Sequence, residues 1–460
     1  MALLDEINLF NKLCENREKM SGEREEAEKI IKELRNAGFE AYFAGGAVRD
    51  QLMGKVPKDY DIATSATPEE VLTLFPSADA IGKHFGVILV KRGGAHFEVA
   101  TFRIDGDYKD GRRPESVTFA SAEEDAQRRD FTINGMFFDP ESGRVVDYVE
   151  GEADLKVEKI RAIGDPRKRF EEDALRLMRA IRFAVKTGFE IEEKTLKAIR
   201  ECAPLLKQVS VERIQEEFSK IISSPRRAEG LQLLVETDLI DQFMPEVRAL
   251  IGCEQPPQWH PEGDVYIHTR IALSLLEDNA PLPLCLSVLL HDIAKPPTYF
   301  FDEEAQRIRF NGHDSLGAEM AREILTRMRY SNAVVDDVET MVAHHMQFMN
   351  VKKMRTAKVK RFLSRPTIEE ELELHRVDCA SSNGFTENYD FLREKQEEFA
   401  NAPIIPPSLI TGQDLIALGY KPGPEFRDIL EAVETEQLEG RVETKEDALK
   451  FLKQGQISSL

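Results

Sequence analysis

The hydrophobic period changes once along this chain, and the change limits what it can fold into. Up to about residue 150, short runs such as AYFA (41–44), FGVILVKR (85–92) and HFEVATFR (96–103) have strand length and strand composition, with helical patterns between them. From about residue 165, apolar residues recur at helical spacing and strand-like runs are few. A chain of 460 residues is too long for one core, so the pattern predicts an α+β arrangement: a mixed head, then a long helical body. The proline-rich stretches CEQPPQWHPEG (253–263) and NAPIIPPSLITG (401–412) are the hinges of that body. No apolar run approaches the roughly 20 residues of a membrane span. The first 20 residues read as an amphipathic helix of mixed charge, without a secretory leader's basic start and apolar run. Five scattered cysteines without a CxxC fit a reducing cytoplasm and no thiolate metal site. The net charge of −21 argues against broad nucleic-acid coating, though not against a local basic groove.

Residues 59–61 read Asp-Tyr-Asp. On a strand, Asp59 and Asp61 share one face and can grip the same hard cation, which magnesium's preference for carboxylates and phosphates suits. Upstream, Gly45-Gly46 is a turn without side chains that lets backbone N–H groups approach a phosphate, with Arg49 and Asp50 close behind. Downstream, Thr67, Pro68 and Glu70 have the spacing of a capped helix start. Asp-x-Asp alone is most often an acidic surface strand. The glycine pair at this spacing tips the reading toward a site.

With GGAVRD…DYDIATSATPEEV, FEVATFR, RRDFTINGM and EEDALRLMRAIRFA in that order, residues 25–225 resemble the class II tRNA nucleotidyltransferases, the CCA-adding enzymes and bacterial poly(A) polymerases. The resemblance implies a polymerase-β-like nucleotidyltransferase head (26–150) behind an N-terminal helix (1–25), followed by an all-α neck (151–225), a body (226–400) and a helical tail (401–460). It implies attack of an RNA 3′-hydroxyl on a nucleoside triphosphate's α-phosphate, with CTP, ATP and the tRNA acceptor end as partners and Mg2+ as cofactor. Asp59 and Asp61 become catalytic metal ligands, and Gly45, Gly46 and Arg49 the triphosphate cradle. Glu98 is a third carboxylate or an ordinary salt-bridged strand residue. Arg128 and Arg129 neutralise phosphate, Asp130 contacts the ribose, Asn134 helps hold the site, and Arg179 binds nucleotide. Asp173 and Arg176, i and i+3 on one expected helix, offer acceptors beside donors. That pattern complements cytosine and adenine and rejects guanine and uracil, as the family's nucleotide template does. Glu172 orients Arg176, and Glu212 and Arg213 support them.

A second constellation follows: His268, His291-Asp292, His313, His344-His345 and Asp378. Imidazole with carboxylate suits a divalent transition metal such as Mn2+ or Ni2+. The order resembles the HD phosphohydrolase superfamily, which implies a metal on His268, His291, Asp292 and Asp378 and a phosphoester substrate; a relic without turnover is the alternative. The segment 347–366 carries seven Lys/Arg and no acidic residue, which reads as RNA contact or as a basic helix surface. The charged, glycine-hinged loop IDGDYKDGRRPESVTFA (104–120) resembles the element that enzymes adding the terminal A retain. The alternatives are A-only addition, a poly(A) polymerase, or an HD hydrolase with an RNA-binding head. Monomer and dimer both stay open.

Overall fold

The computed structural model describes residues 22–82, 86–105, 117–400 and 403–453. The N-terminal helix expected over 1–25 falls mostly outside these, as do residues 106–116 of the charged loop. By internal packing the chain divides into Met1–Pro245 and Glu246–Leu460.

In the first unit, strands β1 (Ala41–Ala44), β2 (Ile62–Thr64), β3 (Asp79–Gly82), β4 (Val87–Arg92), β5 (Ala95–Thr101), β6 (Arg103–Asp105), β7 (Val117–Phe119), β8 (Phe137–Asp139) and β9 (Arg144–Val146) carry the head. Seven form one mixed sheet in the order β3-β4-β5-β2-β1-β8-β9. β2 runs parallel to β5, and the other pairs are antiparallel. β6 and β7 pair separately and flank the charged loop. One sheet face closes on Ile30, Ile31 and Leu34 of the helix over residues 22–36, with Phe43, Ile62 and Val99 from the strands. The expected helix start is present: Thr67 and Glu70 form a full capping box with Pro68 in the first turn.

Helices Pro166–Glu172, Leu175–Thr187, Glu193–Cys202, Val211–Ile222 and Arg227–Glu236 follow. Leu175, Met178 and Ile181 are buried, as their spacing predicts. EEDALRLMRAIRFA, however, is not one helix. Asp173 has extended backbone (φ −142°, ψ 102°), and its side chain accepts from Leu175 N at 3.1 Å, so it ends one helix and caps the next.

The second unit is helical, as expected, apart from a hairpin the periodicity did not show, Tyr299–Asp302 with Arg307–Phe310. The helix Leu282–Leu290 is apolar all round and buried from Leu284 to Leu290. Each of its buried leucines contributes about 1.5–3 kcal/mol by leaving water, so the residues just after it are held firmly. Those residues are His291 and Asp292. The C-terminal helices Gly412–Ala417, Glu425–Leu438 and Lys445–Lys453 enclose their own small core around Leu415, Val433 and Leu452.

Candidate active site and candidate metal centre

At the end of β1 the backbone turns through Gly45 (φ 65°, ψ −127°), a conformation for glycine, and Gly46 opens a short helix. A Cβ on Gly45 would also stand 3.3 Å from Arg129 Nη1. Asp59, Tyr60 and Asp61 lie just before β2, not within it, yet Ala44 N still donates to Asp61 O (3.0 Å). Faces alternate as expected. Tyr60 is buried against Phe43, with ring centroids 5.4 Å apart, while Asp59 is exposed and Asp61 half-buried. The β2–β5 register pairs Ile62 with Val99, which sets exposed Glu98 beside Asp61. Burial, then the charges of Asp59 and Glu98, push the Asp61 carboxyl up to about 7 against the pull of Arg129. An oxygen-only donor set that drives one member to hold a proton fits a hard divalent cation. The compact donor groups with ligand atoms within 4.8 Å of one another, among the described residues, all lie in the second unit.

These aspartates line a cleft of about 640 Å³ with Gly45, Gly46, Asn134 and a wall in which lysines and arginines outnumber aspartates. Its cations are tethered from behind. Asp125, buried, accepts from Arg128 Nη2 (2.6 Å) and Arg129 Nη2 (3.0 Å). Arg49 lines the cleft from a buried position, and donates to Asn134 Oδ1 (2.6 Å) and Asp50 Oδ1 (2.8 Å), which anchors it in the cradle's floor. Asp130 takes Arg179 Nε on Oδ2 (2.7 Å) and Asn134 Nδ2 on Oδ1 (3.2 Å). Burial would raise that carboxyl, but Arg179 and its other partners hold it down at about 2. Arg49, Arg179 and Arg182 stack around the ring of Phe183 at 5.2, 5.2 and 4.5 Å.

Asp173 and Arg176 both line the cleft, but the helix break separates their partners. Arg176 Nη1 donates to Glu172 Oε2 (2.7 Å), as expected, and Nη2 to Arg128 O (3.0 Å). Asp173 instead accepts from Arg213 Nη2 (3.1 Å), which gives Arg213 its supporting place. Asp125, Arg182 and Phe183 are the residues that sequence reasoning missed. For Asp125 the signal was present: an aspartate three and four residues before an arginine pair.

In the second unit His268, His291, Asp292 and Asp378 converge as predicted, and His313 and His345 join them. Asp378 Oδ1 is 3.1 Å from His268 Nε2, and Asp292 Oδ2 is 3.2 Å from His291 Nε2. Burial alone would lower the His268 pKa, but its bonds to Asp378 and Glu262 raise it to about 9. Burial opposes the ionised Asp292 and Asp378, and the surrounding histidines hold both well below the carboxylate range. Burial and the neighbouring His291 lower His345 to about 4. His344 stands apart, with Nδ1 on Glu371 (3.3 Å). Asp292 Oδ2 is buried without a well-formed hydrogen bond, although Lys295 Nζ lies 2.7 Å away. Imidazoles around an under-satisfied carboxylate fit a transition metal. The basic run 347–366 is partly committed inside this unit: Lys360 donates to Leu438 O (3.1 Å), Arg361 to Thr435 (2.9 Å) and Arg365 to Glu371 (2.8 Å). Lys352, Lys353, Arg355 and Lys358 are exposed.

Comparison with known proteins bears on both sites. The family described as the poly A polymerase head domain matches residues 41–161, the one described as the probable RNA and SrmB-binding site of polymerase A matches 188–251, and the HD domain matches 260–381. A CCA-adding enzyme of Lactobacillus helveticus is 34% identical over 91% of this chain and 94% of its own length. One from Geobacillus thermodenitrificans is 50% identical over 46% of this chain and 52% of its own. The chain thus spans about half the length of several curated relatives that match it most strongly. The crystal structure of the Bacillus stearothermophilus CCA-adding enzyme with CTP superposes with a TM-score of 0.74 at 28% identity, covering 95% of this chain and 98% of that one.

Proposed function

The chain belongs to the CCA-adding enzyme family, and from that premise we propose that it adds C, C and A to the tRNA 3′ end from CTP and ATP, releasing pyrophosphate. The observation that carries this reading is the head cleft, where a carboxylate pair faces a cationic wall and an Asp173–Arg176 edge. Asp59 and Asp61, with Glu98 alongside, would hold magnesium. Bound there, magnesium supplies neutralisation of the charge that builds on attacking and leaving oxygens during in-line displacement. The remaining work belongs to the chain. Arg128 and Arg129, fixed by Asp125, hold triphosphate oxygens without having to be ordered during the reaction. Gly45 and Gly46 admit a phosphate because no side chain occupies the turn. Asp173 accepts from the exocyclic amine of cytosine or adenine, and Arg176 donates to the ring nitrogen beside it. Arg213 and Glu172 keep those two side chains pointed while they do so.

The loop around 106–113 supports addition of the terminal A. One pocket must take cytosine twice and then adenine, so something has to reset it between additions, and the sequence of this segment resembles the element that enzymes adding the terminal A retain. The deciding experiment offers the purified enzyme three tRNAs, ending at the discriminator, at C and at CC, with each triphosphate separately. Extension of all three to CCA is expected. Extension of the CC-ended tRNA alone identifies an A-only enzyme, and untemplated A runs identify a poly(A) polymerase. For the second unit we propose a metal-dependent phosphohydrolase, on the strength of the His268, His291, Asp292 and Asp378 cluster. Among the described residues no helix is long and apolar enough to cross a membrane.

A further inference from the structure

Asp125 is buried behind the wall of the head cleft, and both of its oxygens are engaged. Oδ1 accepts from Arg128 Nε (2.9 Å) and Nη2 (2.6 Å), and Oδ2 from Arg129 Nε (3.1 Å) and Nη2 (3.0 Å). Oδ1 also takes the backbone amide of Arg103 (3.3 Å), so main chain as well as side chains hold the carboxylate in place. Burial would raise this carboxyl, but the two guanidiniums hold it below its ordinary value.

The two arginines are consecutive, so one carboxylate grips the chain on both sides of the peptide that joins them. That peptide lies just past the helix Ala122–Gln127, with Arg128 as its last cap (φ −85°, ψ −11°), where no further helical turn would steady it. Its carbonyl has a partner across the cleft: Arg128 O accepts from Arg176 Nη2 (3.0 Å). Arg176 Nη1 bonds Arg169 O (2.9 Å) and Glu172 Oε2 (2.7 Å), so three of the guanidinium's five N–H groups are spent on aiming it. Two of those three bonds come from Arg176's own neighbourhood in the chain. The third comes from the phosphate side of the cleft, through a peptide that Asp125 clamps.

We propose that Asp125 is a positioning residue for base choice as well as for the phosphate arginines. It clamps the Arg128–Arg129 peptide, the peptide's carbonyl aims Arg176, and grip on phosphate is thereby coupled to rejection of the wrong base. The inference rests on the reading of Arg176 as part of the base template and deepens it. A coupling of this kind is reciprocal: a base that seats well on Arg176 firms the hold on phosphate by the same factor by which phosphate sharpens the choice of base.

The test measures kcat and KM for CTP and for UTP on a tRNA ending at the discriminator, with the full chain and Asp125→Asn. An amide offers one acceptor oxygen where the carboxylate offers two, and turns N–H donors on one of the arginines. The KM for CTP should rise roughly tenfold, and the preference for CTP over UTP should fall about 5- to 30-fold. Asp125→Glu, which keeps two oxygens, should retain more of that preference than Asp125→Asn. Should Asp125→Asn melt early by circular dichroism, Arg128→Met decides by the same ratio, since it opens one side of the clamp and keeps the carbonyl. A higher KM with the CTP-to-UTP preference within about twofold of wild type overturns the proposal, for Asp125 then only anchors phosphate contacts. An enzyme that adds A alone, or runs of A, overturns the CCA reading and not this one: ATP against GTP then replaces CTP against UTP, with the same losses expected. A wild-type chain that transfers no nucleotide, or that takes UTP as readily as CTP, overturns both.

Discussion

The head cleft and the histidine cluster treat charge in opposite ways. In the head, the donors are carboxylates that face a cleft, and the cations around them are arginines and lysines anchored from behind. In the second unit the donors are mostly imidazoles, buried around Asp292 and Asp378, with Nδ1 of His291, His313 and His345 fixed by carbonyls. A cation held by two or three carboxylates completes its shell with water and substrate phosphate, so it comes and goes with substrate. A cation met by several imidazoles and buried carboxylates needs few further ligands and stays. On the proposed functions, the head's ion would track substrate while the second unit's would be resident.

The largest effect should come from the head's carboxylates. Asp61→Ala should cut nucleotide addition by at least about 100-fold while thermal unfolding and the metal content of the second unit stay unchanged, since it removes stabilisation from the reacting phosphate alone. Normal CMP incorporation by this variant in magnesium would break the comparison at its first term. The reciprocal change, His291→Ala, should abolish phosphoester hydrolysis and lower bound transition metal, with tRNA extension within about twofold of wild type. A joint loss of both activities would show that the two units are not independent.

Removing residues 106–113 should depress ATP addition to a CC-ended tRNA well beyond CTP addition; equal loss would reduce the segment to a connection. A smaller effect attends base choice. Asp173→Ala removes a charge-assisted hydrogen bond of about 1.5–3 kcal/mol, so discrimination of CTP over UTP should fall roughly 10–100-fold. Arg213→Ala, which only loosens Asp173, should fall short of that. If the two variants behave alike, the ion pair matters more than the base contact.

The smallest effect is a matter of stability. The Asp130 carboxyl titrates at about 2 in the folded chain against an ordinary 3.8, so the folded state prefers the carboxylate. Its contribution, on the order of 2 kcal/mol, is present above the ordinary value and is lost as pH falls toward the folded one. Urea unfolding between pH 5 and pH 2.5 should therefore steepen in wild type relative to Asp130→Asn. Parallel curves would place the acid sensitivity elsewhere.

What could be read from sequence shared one property: it was local. The glycine pair, the alternation of Asp59, Tyr60 and Asp61, the Thr67–Glu70 box and the adjacent His291-Asp292 all rest on spacings of a few residues, and each is where its spacing put it. The expectation of one helix through Asp173 and Arg176 failed because a helical period was extended through an aspartate able to bond its own backbone two residues on. Read as a helix cap, the same residue would have shown the break. The Asp173–Arg213 pair joins positions 40 residues apart, and no local pattern announces it.

Gly45 carries a consequence for how this sequence can drift. Its backbone angles exclude a side chain on steric grounds, and a side chain there would also press on Arg129, which is bonded to Asn134 O and Asp125. The two obstacles are independent. A second mutation that made room by shortening Arg129 would leave the dihedral strain in place, and a backbone shift that relieved the strain would displace the turn. No single compensating change restores both. Position 45 is thus a dead end in mutational space, and descendants of this gene should vary around it rather than at it.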